Sequence, residues 1–375
     1  MTLRVLQICH DYEGPFKAIC HQYAHAFRHH HVTTVYVCGE ESETVKRQTG
    51  GDEVVFLAQP TSAMRGIKFK TLFMIARLFR HNRFDVVVAH RYKPIYFAGV
   101  MSYFFRIPVL LAVIHEHEVF RRPTRRLFIT FWCRNIVCIG VSASVSNNIE
   151  KYCGNLSAAG RLFTLPHAID SSQREKMLSR DQARREFGIS PDVFLVGTIG
   201  RLIDKKEQHV LIDAFARFRE DRNTRLIVIG DGPNEPLLRA RAESLGISSQ
   251  VIFAGRVDDA YRLLPALDVF VLPSGSMEAF GMVLLEAMLA GVPVVASNAA
   301  GPAEVVGDAG LLFAAGDADS LAARLLEVCT MAPESRVEMV ARAEERLAAD
   351  YSLAAFERRI WAIAPLRDTG PIRPV

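Results

Sequence analysis

Apolar positions along the chain fall into two kinds of run. LRVLQIC, VTTVYVC, FDVVVAH, PVLLAVIH and IVCIGVS are short and nearly unbroken, with the β-branched content of buried strands. FKAICHQYAHAFRHH, KTLFMIARLFRH and YFAGVMSYFFR instead repeat apolar residues at helical spacing. The alternation predicts a parallel sheet with helices on both faces. A second series then begins. FLVGTIGR, TRLIVIGDG, QVIFAGR, VFVLPSG, PVVAS and AGLLFA read as strands, with EQHVLIDAFARFRE, EPLLRARAESLG, DAYRLLPAL, MVLLEAMLAG and ADSLAARLLEVCT as the helices between them.

The two series are joined by LPHAIDSSQREKMLSRDQARREFGISPD, polar, turn-rich and then helical. The expected organisation is a Rossmann-like α/β lobe over 1–170 and a second over 171–350. A final helix over 351–375 has no strand after it and is expected to cross back to the first lobe. Two such lobes predict a cleft lined by the carboxyl ends of both sets of strands.

At 375 residues, 50% hydrophobic and 23% charged, the chain has the make-up of a globular protein of two domains. The seven cysteines show no CxxC spacing, which favours reduced thiols and a cytoplasmic setting. The N-terminus opens on a strand-like run without the regions of a signal peptide. The greasiest stretch, IYFAGVMSYFFRIPVLLAVI, is interrupted by Arg106 and Pro108, so no membrane-spanning helix is expected. The net charge of +4 conceals an asymmetry: residues 1–180 hold 24 Lys+Arg against 13 Asp+Glu, the remainder 21 against 28. The two halves therefore face different surroundings.

Candidate chemistry concentrates in the second half. Glu278 and Glu286 interrupt the apolar run PSGSMEAFGMVLLEAMLAGVPVVAS, where a carboxylate needs something to hold it. A helix starting near Gly281 leaves Glu278 in the loop ahead and Glu286 over a turn inside. If every step between them were helical, they would stand about 12 Å apart. That exceeds the roughly 5–9.5 Å of a glycosidase acid/base pair, and suits two groups gripping opposite ends of an elongated ligand. The other reading is a helix whose glutamates simply face water. Arg201 and Lys206 in GTIGRLIDKKEQ follow a strand end, where fixed positive charge near free N–H groups suits a diphosphate. A solvated basic loop is the alternative.

Taken in order, Gly200-Arg201-Leu202 with Lys206, then IGDGP, then Glu278-x7-Glu286, GVPVVAS and GPAEVV resemble the GT-B glycosyltransferases of the large retaining family 4. The resemblance spans essentially the whole chain and is strongest from Gly197 to about Leu326. It implies that Arg201 and Lys206 hold the donor diphosphate and stabilise the leaving group, with no cofactor and no metal required. It implies that Glu278 binds the donor sugar's hydroxyls, that N–H groups near Phe280, Gly281, Met282 and Val283 contact sugar and phosphate, and that Glu286 takes the ribose hydroxyls. The base is expected near Arg256 and Val257.

In the first half, Gly14 follows the first strand, where a glycine admits a ligand to the backbone. The family usually shows Gly-Gly there, and Pro15 removes one donor. His115 ends the strand PVLLAVIH, and the resemblance makes it the histidine near the donor's 6-hydroxyl. Arg91 and Lys93, in VVAHRYKP, also follow a strand and are candidates for an anionic acceptor.

RHHHV, over 28–32, reads as a helix end rather than a metal site. Asp317-x-Asp319 reads as a helix cap, and IGDGP is not a dinucleotide fingerprint. RGIKFKTLFMIARLFRHNR (65–83) and FRRPTRRLFITFWCR (120–134) mix arginines with large apolar residues. That composition suits docking, without spanning, on an anionic inner-membrane surface, or else a helix with one core face and one solvated face. No nucleic-acid motif is present.

The expectation is a metal-independent, retaining hexosyltransferase using a nucleotide diphosphate sugar, UDP favoured. Its acceptor is expected to be an anionic saccharide or glycolipid, of lipopolysaccharide-core or lipid-linked type. An epimerase or hydrolase of the same architecture, and a non-catalytic membrane-associated nucleotide-sugar binder, are the rivals.

Overall fold

The computed structural model describes residues 2–64, 69–133, 135–218 and 223–367. It divides into two units, one taking the chain up to Ile169 and again from Ser352, the other running Asp170–Tyr351.

In the first unit the strands are β1 (Arg4–Cys9), β2 (His31–Cys38), β3 (Glu53–Gln59), β4 (Val86–His90), β5 (Val109–Ile114), β6 (Ile136–Gly140) and β7 (Leu162–Thr164). Between them lie α1 (Phe16–Ala26), α2 (Glu43–Thr49), α3 (Phe69–His81), α4 (Tyr92–Phe104), α5 (Pro123–Leu127) and α6 (Ala143–Cys153). All seven strands are parallel, in the order β3-β2-β1-β4-β5-β6-β7. Every residue of β4 and β5 is buried, as a strand covered on both faces must be.

The second unit opens with α7 (Arg180–Glu186), then β8 (Phe194–Ile199), α8 (Gln208–Phe218), β9 (Thr224–Ile229), α9 (Glu235–Ser244), β10 (Val251–Gly255) and β11 (Val269–Leu272). It continues through α10 (Met282–Leu289), β12 (Val294–Ser297), α11 (Ala300–Val306), β13 (Leu311–Phe313), α12 (Ala318–Cys329) and α13 (Pro333–Arg346). Six parallel strands take the order β10-β9-β8-β11-β12-β13. In both sheets the strand order reverses beside the first strand, between β1 and β4 and between β8 and β11. Such switch points open a crevice at the carboxyl ends of those strands.

The chain closes with α14 (Leu353–Trp361) and α15 (Ala364–Arg367). In α14, Phe356 meets Tyr23 of α1 edge-on at 4.9 Å, Trp361 donates to the Ala26 carbonyl, and Glu357 pairs with Arg28. These contacts join α14 to α1 within the first unit.

Three details depart from the sequence pattern. EVVFLAQ and LFT form β3 and β7 although neither is fully buried, so the pattern of a covered strand is weak there. DAYRLLPAL forms a short 3-10 helix over Ala260–Ala266, because Pro265 cannot donate within an α-helix. FKAICHQYAHAFRHH stops at Ala26, and His30 Nδ1 instead accepts from the Leu3 amide.

Arg184 ties α7 to the second sheet. Its buried guanidinium donates to the carbonyls of Ser190, Pro191, Val193 and Ala266 and to Asp268 at 2.6 Å. Arg184→Leu strips five acceptors of a donor at once and is expected to cost about 3–5 kcal/mol. The check is a urea titration, and a midpoint equal to that of the parent would refute it.

Candidate functional site

In the second unit the loop leaving β8 is held from two sides. Gln208 donates to the Arg201 carbonyl, and the Leu202 amide donates to the Asp231 carbonyl at 2.7 Å. The glycines of IGDGP are explained by this packing. A Cβ at Gly230 would stand 2.0 Å from the Gly200 carbonyl oxygen, so only glycine lets the two loops meet. Arg201 is left exposed, while Lys206 turns inward.

Lys206 Nζ donates to Glu278 Oε2 at 2.5 Å, with the two side chains 18% and 11% exposed. Burial alone would raise the carboxyl's pKa, but the Lys206 charge and its hydrogen bond outweigh that and hold Glu278 below the usual carboxylate range. Glu278 thus stays ionised because it is paired. Behind it, a Cβ at Gly301 would stand 2.5 Å from the Glu278 carbonyl oxygen, so the glycine of GPAEVV lets α11 pack directly on the loop. Ala279 and Phe280 are buried, and Phe280 rests edge-on against Tyr351.

Gly281, at φ +98°, caps α10 with no side-chain cap. The N–H groups of Met282 and Val283 therefore begin the helix without a side-chain acceptor. Glu286 lies one turn on, half-buried. Burial, with the Asp259 charge adding to it, pushes its pKa up to about 7. Asp259 and Tyr261, which belong to the segment after β10, escaped the sequence reading. Arg256, in the same segment, pairs with Asp258 at 3.5 Å and is exposed, and Val257 is half-buried beside it. The structure therefore gathers Arg201, Lys206, Glu278, Phe280, Gly281, Met282, Val283 and Glu286 along the carboxyl ends of β8 and β11, with Arg256 and Val257 at the end of β10.

In the first unit Gly14 takes φ +58°, and a Cβ there would touch nothing within 4 Å. Pro15 is the residue ahead of α1. Arg91 is committed to its neighbours: it meets His10 Nδ1 at 3.1 Å, Glu116 at 3.4 Å and Asp11 at 3.8 Å, and its guanidinium covers the Phe16 ring. Lys93 lies over the rings of Tyr96 and Phe97. Neither stands as a bare cation waiting for an anion.

His115 belongs to a group the sequence reading missed. His90 Nδ1 is 3.3 Å from His115 Nε2, and His115 Nδ1 is 3.3 Å from His167 Nε2. The file is closed by Gln22 at His167 Nδ1, 2.7 Å, and by Gln7 at His90 Nε2, 3.3 Å. The three histidines stand 25 and 52 residues apart. The one sequence signal was Gln7, a polar residue amid the apolar β1.

Asp317 accepts from the amides of Asp319 and Ser320 at the start of α12, which is capping. Among the described residues no group of three or more His, Cys, Asp or Glu is arranged to hold a metal ion, and no helix is long and apolar enough to cross a membrane. Of the two arginine-rich stretches, 65–68 and 134 lie outside the described residues. The rest exposes Phe69 and Phe73 on α3, and Leu127 and Phe131 beyond it; Tyr103 and Phe104 are exposed at the end of α4. These elements are neighbours, since Phe105 stacks on Phe79 of α3 and Tyr96 of α4 meets Phe128.

Comparison with known proteins bears on both units. Residues 179–346 match the model of the glycosyl transferases group 1, and 18–173 that of glycosyltransferase family 4. The chain is 35% identical over 174 residues to the lipopolysaccharide core biosynthesis glycosyltransferase LpsE of Rhizobium meliloti, covering 46% of this chain and 50% of that one. It spans half or less of the length of LpsE and of two further curated relatives, and 54% and 59% of two others. Among solved structures, a glycosyltransferase of Rickettsia africae superposes with a TM-score of 0.83 at 13% identity, over 98% of this chain and 100% of that one. Anabaena HepE in complex with UDP-glucose gives 0.81 at 21%, with the same coverage.

The histidine file carries a consequence for stability. Burial drives the pKa of His90 and His167 down to about 3, and that of His115 well below the ordinary range, with neighbouring rings and Arg91 adding to the effect. Cys20 and Tyr23 of α1 are buried close by and bring no compensating charge. The unfolded chain binds protons below about pH 6.5 that the native file refuses, so stability is intact above that pH and falls as pH drops towards 3. Each ring contributes about 1.4 kcal/mol per pH unit across that window. Urea midpoints from pH 7 to pH 4.5 should decline less steeply in His167→Gln than in the parent, and equal slopes would count against a neutral file.

Proposed function

Because this chain of GT-B fold belongs to the group 1 glycosyl transferases, with a family 4 first part, we propose that it transfers a hexose from a nucleotide diphosphate sugar to a saccharide acceptor with retention of configuration. One observation carries the reading: a paired, ionised Glu278 and an unpaired, half-buried Glu286 stand on either side of the uncapped start of α10, beside Arg201 and Lys206. That set suits a ligand with a hydroxylated end, an anionic middle and a second hydroxylated end. Glu278 takes the sugar's hydroxyls, the first N–H groups of α10 face the phosphates, and Glu286 takes the ribose diol. Arg256 and Val257 flank the base. UDP is the favoured nucleotide, supported by the UDP-glucose complex of HepE.

In the reaction the bond from the anomeric carbon to the diphosphate oxygen breaks, and a bond from that carbon to the acceptor oxygen forms on the same face. The acceptor's proton passes to the departing diphosphate. Arg201 and Lys206 stabilise the charge that develops there, so no metal is needed. The lipopolysaccharide-core role of LpsE supports an acceptor of core-oligosaccharide or lipid-linked type. The exposed rings of α3 and the end of α4, with exposed Arg77, Arg80, Arg106, Arg121 and Arg122 around them, suit contact with an anionic membrane surface where such an acceptor resides. The reading that this composition supports is peripheral attachment at the inner face of the cytoplasmic membrane.

Acceptor-dependent release of UDP from a UDP-hexose is the deciding assay, and EDTA should leave it unchanged. Arg201→Ala is expected to lower kcat about 10²–10³-fold, as loss of one charge-stabilising donor does. Glu286→Ala should weaken UDP binding by about 2 kcal/mol. Since Glu286 must ionise to accept from the diol, UDP affinity should also fall as pH drops below 7, and that dependence should vanish in the variant. Nucleotide release without any acceptor would favour a hydrolase, and no nucleotide binding at all a scaffold.

Membrane contact is read separately, by co-sedimentation with vesicles. Phosphatidylglycerol vesicles should retain the protein and neutral phosphatidylcholine vesicles should not. Arg77→Ala and Arg80→Ala should each weaken retention by about 1 kcal/mol, roughly fivefold. Equal retention on both lipids, or on neither, would remove the anionic-surface reading.

A further inference from the structure

We propose that Gln22, His167, His90 and Gln7 are positioning residues that lock His115 as a neutral imidazole with its proton on Nε2. At the two ends of the file the backbone removes the ambiguity of both amides. The Ala168 N–H, at 2.7 Å, needs an acceptor, so that atom of Gln22 is Oε1 and its Nε2 must donate to His167 Nδ1. At the other end the Cys20 carbonyl can only accept, so the Gln7 atom facing it is Nε2, which points to it and to Thr34, at 3.2 Å each. Gln7 Oε1 is then the atom that faces His90 Nε2.

The direction of every bond between follows. His167 accepts at Nδ1, so its proton is on Nε2 and goes to His115 Nδ1. His115 carries its own proton on Nε2 and donates to His90 Nδ1. His90 donates from Nε2 to Gln7 Oε1. Five side chains from β1, α1, β4, the residue after β5 and the segment after β7 thus form one chain of donors running in a single direction, and each ring uses one donor and one acceptor. Adding a proton to any ring sets two N–H groups face to face. The geometry therefore excludes imidazolium throughout the file, in keeping with the desolvation of all three rings.

The chemical consequence lies at the carboxyl end of β5, where His115 is partly accessible. A ligand arriving there meets a ring with no lone pair to offer. His115 is able to share its Nε2–H with a hydroxyl oxygen, but it is neither a general base nor a general acid. This consequence, which rests on the transferase reading, leaves acceptor deprotonation to the departing diphosphate; the lock itself does not depend on that reading.

The test uses the full chain without substrate, labelled with nitrogen-15 histidine. Long-range proton–nitrogen spectra distinguish the two neutral tautomers from imidazolium, and contacts between ring protons identify the three neighbouring rings. The parent should show Nε2–H at His90, His115 and His167 from pH 8 to pH 5. Gln22→Glu places an acceptor at the head of the file while keeping the bond from Ala168. His167 must then carry its proton on Nδ1, and His115 should switch to Nδ1–H although it does not touch residue 22. Nδ1–H or imidazolium at His115 in the parent would overturn the lock, and so would a His115 unmoved by Gln22→Glu. The parent spectrum decides the first point even if the variant fails to fold. A lock that holds in a protein without transferase activity would sink only the transferase reading.

Discussion

The ligand edge of the second unit exists because backbone touches backbone there. The loop after β8 carries Arg201 and Lys206, and the loop after β11 carries Glu278. Both are pinned by neighbours at distances that exclude a Cβ, 2.0 Å at Gly230 and 2.5 Å at Gly301. A side chain at Gly230 would push the loop after β8 off its neighbour after β9, one at Gly301 would push the loop after β11 off α11, and the two loops themselves meet where the Gly275 amide donates to the Lys205 carbonyl at 3.3 Å. The short Lys206–Glu278 bond is therefore a result of main-chain packing and not only of charge attraction. An ion pair by itself repays its desolvation poorly. Here the fold has already brought the loops together, and the pair keeps a buried carboxylate ionised.

The two units answer the problem of burying titratable groups in opposite ways. The second unit keeps charge and pairs it: Glu278 with Lys206, Asp268 with Arg184 and Arg180. The first unit removes charge. Its three aligned imidazoles stay neutral because their hydrogen bonds are used up in one direction, and Arg91, which stands next to them, is offset by Asp11 and Glu116. The excess of Lys and Arg in the first half thus belongs to its surface and not to its ligand edge.

Much of this was legible in the sequence, for identifiable reasons. The strands covered on both faces announce themselves as unbroken apolar runs, as do β8, β9, β11 and β12 of the second sheet; its edge strands β10 and β13 are mostly half-buried yet still apolar in sequence. β3 and β7 do not announce themselves this way, being partly exposed at the two edges of the first sheet, and periodicity has little to register there. The second-unit site was legible because its residues are close together in sequence and carry charge in apolar company. The histidine file was not, since it is assembled from β1, α1, β4, the residue after β5 and the segment after β7. His115 alone drew notice as a strand-end histidine; each other member by itself is an unremarked polar residue on a strand, a helix or a loop. Only Gln7, inside a strand whose other central residues are apolar, hinted that a buried partner was required.

Glu278 and Glu286 look equivalent in the sequence, two carboxylates in one apolar run. The fold separates them electrostatically. Glu278 has its counter-charge in place before any ligand arrives. Glu286 is desolvated, repelled by Asp259 and given no partner among the described side chains, so its proton affinity is raised to near neutrality. A carboxylate in that state gains far more from two hydroxyl donors than a paired one would, because they supply hydrogen bonds it otherwise lacks. On the donor reading proposed above, the energetic opening for a ligand therefore lies at the ribose end, around Glu286 and Tyr261. At the sugar end the geometry is fixed in advance. On that reading, binding strength and alignment of the reacting carbon fall to different glutamates, eight positions apart in the chain.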